Sequence, residues 1–183
     1  FAVLLATEQD VRVFYTTPIK ALSNQKFAEL SQEYGADRVG LLTGDVSINR
    51  DAQIVVMTTE VLRNMIYSGT DLSSLGYVVL DEVHYLGDRF RGPVWEEVII
   101  HLPAHVALVS LSATVSNAEE FGAWLREVRG HTEVIVSEHR PVPLYNHVAV
   151  GTDLHPLFQA GAPGQLNRDL EIAVRPFVSR GSR

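Results

Sequence analysis

The sequence predicts an α/β fold with a mainly parallel sheet and helices on both faces. Two observations support this. Short apolar runs, typical of buried strands, alternate with longer segments of helical character from residue 1 to residue 136. Several runs end in polar residues, as strands of open parallel sheets do where they face a ligand crevice. Alternation at this spacing favours right-handed crossovers between neighbouring strands.

The first half of the chain is predicted to begin with the end of an apolar helix, residues 1–7, because no capping residue precedes it. Pro18 suits the first turn of the next helix, which ends near Gly35. The apolar face of that helix consists of Ala21, Leu22, Phe27 and Leu30. The predicted strands are 11–16, 38–42 and 53–57, and a further helix contains Val61, Leu62, Met65 and Ile66.

The second half continues the alternation. Asn117 with Glu120 three residues on resembles a capping box at the start of a helix. The predicted elements are a strand at 77–80, a loop at 87–93, a helix at 95–101, and strands at 106–111 and 134–136. Residues 151–165 carry scattered Gly and Pro and no clear period, which predicts a linker or loop. A short helix is expected at 167–174.

Composition limits the class of protein. The 183 residues are 46% hydrophobic and 20% charged, which is typical of one globular domain. No cysteine is present, so a disulfide framework and a thiolate metal site are both excluded. No apolar run reaches the length of a membrane span, and we expect a cytoplasmic protein without a membrane partner. The net charge of −7 opposes nucleic-acid binding through the whole surface but permits a local basic groove.

Two adjacent carboxylates, Asp81 and Glu82, follow the apolar run 77–80, with His84 two residues further on. Asp81 at a strand end is suited to hold Mg²⁺, usually through water, while Glu82 orients and deprotonates the water that attacks a γ-phosphate. The open alternative is an acidic turn without a catalytic role. We expect His84 to hydrogen-bond to a neighbouring strand end. Ser112 and Thr114 end the next strand and would meet His84 there, or simply form a turn and a helix entry.

Three other strand ends carry hydroxyl groups and a few charges. A hydroxyl-rich loop at a helix start, with a lysine in the first turn, suits a phosphodiester, and three such loops would track one strand by its backbone. Ordinary helix capping is the alternative. The candidate nucleic-acid-binding residues are Thr16, Pro18, Lys20, Thr43, Gly44, Asp45, Thr58, Thr59, Glu60 and Arg63.

These blocks, in this order and spacing, resemble the first RecA-like domain of a superfamily 2 DExH-box RNA helicase of the Ski-type, HelY-like branch. The similarity covers roughly residues 1–150 and rests on the segments 15–27, 42–49, 58–65, 81–84 and 91–97. It implies a three-layer α/β/α fold of the P-loop NTPase type, with ATP and Mg²⁺ as cofactors. RNA, single-stranded or as a 3′-tailed duplex, is the implied partner, together with proteins of RNA decay.

The resemblance also assigns roles. Asp81, Glu82, His84, Ser112 and Thr114 would serve ATP hydrolysis and its coupling to strand movement. No Gly-x-x-x-x-Gly-Lys loop for the β- and γ-phosphates occurs in the sequence. We therefore expect residues 1–141 to be a partial RecA-like domain, truncated at both ends, and residues 142–183 to connect toward a missing second domain.

Three alternatives remain open from the sequence. As it stands, the polypeptide would be a catalytically silent nucleic-acid-binding module. A metal-dependent phosphoesterase using Asp81 and Glu82 is chemically conceivable, but the dispersed ligands of a two-metal site are lacking. In the loop 88–91, Phe90 either contacts nucleic acid with its flanking arginines or packs inward.

Overall fold

The structure, a computed structural model, describes residues 1–112, 118–137, 139 and 142–178, the side chains of residues 163 and 176–178 excepted. It divides into two compact units, Phe1–Val134 and Ile135–Arg183. The first unit contains the parallel sheet and the candidate site. No helix among the described residues is both long and apolar enough to cross a membrane.

Unit 1 is built on a six-stranded sheet. The strands are β1 (Arg12–Thr17), β2 (Val39–Leu42), β3 (Ser47–Ile48), β4 (Ile54–Thr58), β5 (Leu75–Leu80) and β6 (Ala107–Ser110). Their order is β3-β2-β4-β1-β5-β6, and every pair is parallel except β2 with β3. The carboxyl ends of β2, β4, β1, β5 and β6 therefore meet at one edge, as the sequence predicted for a mainly parallel sheet.

Helices cover both faces of this sheet. They are α1 (Ala2–Glu8), α2 (Lys20–Tyr34), α3 (Thr59–Tyr67), α4 (Gly92–His101) and α5 (Ala118–Arg129). One apolar core combines α1 and α2 with Val13, Ile54 and Val79, and the other combines α3, α4 and α5 with Phe14, Val55 and Val78. Neighbouring residues of each strand thus face opposite cores, which is why the strands read as continuous apolar runs.

The predicted helices and strands of residues 1–112 are present with small shifts, and three details differ. Pro18 lies before α2, whose N-cap is Ile19. Ala21 is exposed, and Ser23 is buried in its place on the inner face of α2. The two-residue strand β3 was not predicted, because it is too short for an alternation to show. The predicted cap Asn117 lies outside the described residues.

The strand predicted at 134–136 is wrong, because residues 132–137 form neither helix nor strand. Val134 packs closely against Gly122 of α5, whereas Ile135 is 89% exposed. β-branched residues favour an extended backbone, but a strand also requires a neighbour that accepts its hydrogen bonds.

The irregular loop conformation predicted for 151–165 is also wrong, because unit 2 contains two antiparallel strand pairs among its described residues. Strand β7 (His147–Val150) pairs with β8 (Asp153–Pro156), and β9 (Phe158–Gln159) pairs with β10 (Ala162–Leu166). Gly151 and Gly161 adopt φ of +63° and +78° at the two turns. Glycine at such a turn is typical of a β-hairpin, but in the sequence it also fits an irregular loop. The helix expected at 167–174 is present as α6 (Arg168–Val178).

Candidate functional site

The two carboxylates Asp81 and Glu82 lie at the carboxyl end of β5, between the ends of β1 and β6. The backbone amide of Asp81 donates to the Thr16 carbonyl at 3.0 Å, and that of Val83 donates to the Leu111 carbonyl at 2.8 Å. Both neighbouring strands therefore hold this turn. Glu82 adopts a left-handed conformation, with φ of +54°, before a short 3-10 helix, Val83–Gly87. This conformation is costly for a residue other than glycine, and such strain is often found at functional sites.

Asp81 is held by two donors. Its Oδ2 accepts from the Tyr15 hydroxyl at 2.8 Å, and its Oδ1 accepts from the Glu82 amide at 2.9 Å. Burial, together with the hydrogen bond to Asp81, raises the pKa of Tyr15 well above its ordinary value. Because an ionised carboxylate has about four lone-pair sites, each oxygen of Asp81 retains acceptor capacity.

This carboxylate fits a hydrated Mg²⁺. Mg²⁺ usually keeps several waters and takes one or two protein carboxylates together with substrate phosphates. Asp81 supplies one such carboxylate at a strand end, and its remaining lone pairs can accept hydrogen bonds from metal-bound water. Within the described part of the chain, no group of three or more His, Asp or Glu side chains is placed to hold a metal ion.

Among the described residues, His84 lies next to Glu82. Its Nδ1 is 3.1 Å from Glu82 Oε2, and its ring packs on Tyr85 at 4.9 Å between centroids. The expected contact of His84 with the strand end at Thr114 lies outside the described residues and stays a prediction. Ser112 is exposed two residues after the end of β6, and Thr114 lies outside the described residues.

The candidate nucleic-acid residues lie at the same edge of the sheet, at the ends of β1, β2 and β4. Several of their polar groups point into the protein. The Thr16 hydroxyl donates to the Val79 carbonyl at 3.2 Å, and the Thr59 hydroxyl donates to the Thr17 carbonyl at 3.3 Å. Pro18 and Thr58 are also buried. The two hydroxyl groups therefore connect the end of β1 to the ends of its neighbours β5 and β4.

The accessible members are charged or lie in the turn after β2. Lys20 Nζ is 2.7 Å from Asp45 Oδ1, which also accepts from the Thr43 hydroxyl at 3.0 Å. The hydrogen bond from Lys20 is the main reason that the pKa of Asp45 lies below its ordinary value. Gly44 is exposed in the same turn.

Glu60 and Arg63 lie in the first two turns of α3, and both are half-buried. The Arg63 guanidinium donates to Asn64 Oδ1 at 3.1 Å and is 3.8 Å from Glu97 Oε2. No side chain caps α2 at Ile19 or α3 at Thr58. The first amides of a helix have no acceptor within the helix, so a phosphate can bind there.

The loop before α4 presents Phe90 to solvent, 85% exposed, so the inward alternative is wrong. Asp88 Oδ1 accepts from the amides of Phe90 and Arg91 and fixes this loop. The Arg91 guanidinium lies 5.6 Å from the Tyr85 ring centroid and donates to the Pro18 carbonyl at 3.5 Å. The contact between Arg91 and Pro18 was not predicted from the sequence, and neither was the contact between Tyr15 and Asp81. In both pairs the two residues lie far apart along the chain.

Comparison with known proteins gives consistent matches. The profile described as DEAD/DEAH box helicase matches residues 1–121. A Mycobacterium tuberculosis protein named "Probable helicase HelY" is 60% identical over 98% of this chain and 21% of that protein. The Arabidopsis thaliana "DExH-box ATP-dependent RNA helicase DExH15 chloroplastic" is 55% identical over 80% of this chain and 13% of that protein. The chain thus spans about a fifth or less of the length of these relatives.

A solved structure of Saccharomyces cerevisiae Dbp5 superimposes with a TM-score of 0.53 at 20% identity, covering 67% of this chain and 34% of that one. At this identity the comparison concerns the fold alone. It confirms the predicted three-layer RecA-like architecture of the parallel sheet.

Proposed function

Because this chain belongs to the DEAD/DEAH box helicase family, we propose that it supplies the magnesium and water site, and part of the RNA track, of an ATP-dependent RNA helicase. The position of Asp81 and Glu82 is the observation that carries the proposal. They end a buried central strand and lie at the same sheet edge as Lys20 and the uncapped starts of α2 and α3.

In this proposal Asp81 binds Mg²⁺ through water, and Glu82 orients the attacking water and accepts its proton. Asp81 would hold the hydrated ion near the phosphates of ATP, where its positive charge would offset the charge that develops during transfer. Glu82 is well placed for its role because its left-handed backbone turns it away from the strand and its carboxylate stays partly exposed. The Glu82 carboxylate oxygen Oε2 also lies 3.1 Å from His84 Nδ1.

RNA would bind along the ends of β1, β2 and β4 through its phosphates. Lys20 supplies a cation, and the first amides of α2 and α3 supply donors, none of which reads base identity. The name of the Arabidopsis relative, an RNA helicase, favours RNA over DNA as the substrate. Ser112 and Thr114 would couple the two sites, and partners from RNA decay remain a prediction of the family resemblance.

Two comparisons of activity test the proposal. The 183-residue chain contains no Gly-x-x-x-x-Gly-Lys sequence, so we expect it alone to show no RNA-stimulated ATP hydrolysis above the Glu82→Gln variant. A longer protein that adds a phosphate loop and a second RecA-like domain should show RNA-stimulated turnover that the same substitution removes. Failure of the longer protein to bind either ATP or RNA would refute the proposed function.

A second candidate, a silent nucleic-acid-binding module, is favoured by the same missing phosphate loop. The longer protein separates the two candidates, because both predict no ATP hydrolysis by the chain alone. Hydrolysis by the longer protein that depends on Glu82 would exclude the silent module, whereas robust hydrolysis by the chain alone would mean that another group binds the phosphates. Binding of single-stranded RNA without hydrolysis by either the chain or the longer protein would favour the module.

A further inference from the structure

Among the described residues, Tyr15 is the side chain of another strand that donates a hydrogen bond to the Asp81 carboxylate. It lies on β1 in register with Val79 of β5, two residues before Asp81. Its ring is 9% exposed and packs in the core beneath α1 and α2, with the Lys26 ammonium 5.5 Å from the ring centroid. Packing therefore fixes the ring, and its hydroxyl can reach only a narrow region at the sheet edge.

The hydroxyl uses this position to hold Asp81. It donates to Oδ2 at 2.8 Å, while the Glu82 amide donates to Oδ1 at 2.9 Å. Two donors on different oxygens prevent the carboxylate from rotating about its Cβ–Cγ bond. The strand ends are themselves tied, because the Asp81 amide donates to the Thr16 carbonyl.

We propose that Tyr15 is a positioning residue for the metal site, whose hydroxyl orients the Asp81 carboxylate toward Mg²⁺-bound water. The inference rests on the proposed role of Asp81 as the magnesium residue. Hydrogen bonds to a ligating carboxylate commonly change metal affinity or activity by about 10- to 100-fold when removed. A tyrosine that merely satisfied its own buried hydroxyl would have no such effect.

Tyr77 provides a matched control. It lies on β5, and its hydroxyl donates to Gln9 Oε1 at 2.9 Å. Tyr77 pairs with Val13 near the start of β1, so this hydrogen bond lies toward the end of the sheet opposite Asp81. Tyr15→Phe and Tyr77→Phe each delete one hydroxyl and leave the ring, so the two variants differ in which hydrogen bond is lost.

The test uses Mn²⁺ alone as the probe and the 183-residue chain as the protein. Paramagnetic broadening of the amide signals of residues 81–86 is followed as Mn²⁺ is added to the wild type and to Asp81→Asn, Tyr15→Phe and Tyr77→Phe. We expect Asp81→Asn to abolish the broadening. Tyr15→Phe should need an Mn²⁺ concentration at least about tenfold higher than the wild type for the same broadening. Tyr77→Phe should match the wild type. Thermal unfolding without metal reports any loss of stability separately.

The outcomes separate the two proposals. If Asp81→Asn abolishes broadening and Tyr15→Phe titrates like Tyr77→Phe, the positioning role is refuted and the metal role of Asp81 stands. If the wild type shows no broadening at residues 81–86, or if Asp81→Asn leaves it unchanged, the metal role itself fails and the positioning role fails with it.

Discussion

Lys20 and Asp45 form an ion pair, 2.7 Å from Nζ to Oδ1, that joins the start of α2, which follows β1, to the turn after β2. Strand β4 lies between these two strands, so the pair spans the end of β4. Both residues were predicted to contact RNA. If RNA binds Lys20 as proposed, its phosphate and the Asp45 carboxylate would compete for one ammonium group.

Removing this competitor should strengthen RNA binding. We expect Asp45→Asn to raise the affinity for a single-stranded RNA about two- to fivefold, the modest effect of an exposed ion pair. Lys20→Met should weaken binding and reduce the slope of log affinity against log salt by about 0.7, the value for one phosphate contact on a single strand. Fluorescence anisotropy at several salt concentrations measures both quantities.

Lys26→Met is the control for that experiment, because Lys26 is the chain's other lysine and pairs with Glu29 within α2. Equal losses of affinity for the two lysine variants would contradict a specific contact at Lys20. A weaker complex for Asp45→Asn would show that Asp45 assists binding instead of competing.

The same ion pair predicts a pH dependence. The pKa of Asp45 lies below its ordinary 3.8, mainly because Lys20 donates a hydrogen bond to its carboxylate. The hydrogen bond from Thr43 adds to the effect. A lowered folded-state pKa means that the stabilising contribution is present above the unfolded pKa and is lost as pH falls through the folded one. An NMR titration of the carboxyl carbon should therefore place the Asp45 midpoint below 3.8, and Lys20→Met should raise it. Glu29, whose pKa is lowered by Lys26 and Gln25, should not respond to Lys20→Met.

Glu82→Gln tests the proposed base. In the longer protein we expect RNA-stimulated turnover to fall about 10²- to 10⁴-fold, because the amide accepts no proton from the attacking water. ATP binding should stay close to wild type, since Gln has the same shape and Glu82 is not assigned to the phosphates. A variant with near-normal kcat would refute the base role, and loss of ATP binding would point to a structural effect of the left-handed turn.

Arg129 is predicted to stabilise unit 1. Its guanidinium donates to the carbonyls of Leu102, Pro103 and Val106, which follow α4 and lead into β6. Hydrogen bonds to a charged group contribute about 1.5–3 kcal/mol, so Arg129→Met should lower the free energy of unfolding by at least that amount. Urea unfolding followed by tryptophan fluorescence suits the measurement, because Trp95 and Trp124 both lie in unit 1.

Arg126→Met is the comparison for Arg129, because Arg126 lies in the same helix and donates to the exposed Thr132 carbonyl at 3.1 Å. Its effect should stay within about 0.5 kcal/mol, as is usual for surface substitutions. Similar losses for both variants would show that the three carbonyl contacts of Arg129 add nothing specific.

Gly40 and Gly44 differ in the space around them. A Cβ at Gly40 would lie 2.2 Å from the Asn49 carbonyl oxygen, whereas a Cβ at Gly44 would meet nothing within 4 Å. We expect Gly40→Ala to destabilise unit 1 by about 1–3 kcal/mol, the usual cost of overpacking, because backbone must move. Gly44→Ala should have little effect in the same urea experiment. Equal free energies of unfolding for the two variants would mean that the backbone around Asn49 can move aside without destabilising the protein.

The elements of residues 1–112 were predictable because their signals are local. A buried parallel strand reads as an apolar run, and the helices between the strands show their own period. Unit 2 was less predictable because Gly151 and Gly161 permit either a flexible loop or a tight hairpin turn. A hairpin turn forms only where the two short strands beside it pair with each other. Neither strand by itself predicts that pairing.

The candidate site shows the same division. Asp81 and Glu82 were recognisable because they are adjacent and directly follow a strand. Tyr15 was not, because 66 positions separate it from Asp81 and a tyrosine in an apolar strand reads as core. Thr16 and Thr59 were predicted to face RNA, but their hydroxyls donate to carbonyls inside the fold, since a buried hydroxyl needs an acceptor.

The sequence by itself determined the parallel α/β class, the family and the two carboxylates, because apolar period and contiguous motifs are properties of the chain order. Only the tertiary structure decided which partner each polar group takes: Tyr15 for Asp81, Glu82 for His84, and Asp45 for Lys20. The first and last of these contacts join ends of different strands. Sheet order and packing determine such distances, and neither is encoded by the spacing of residues along the chain.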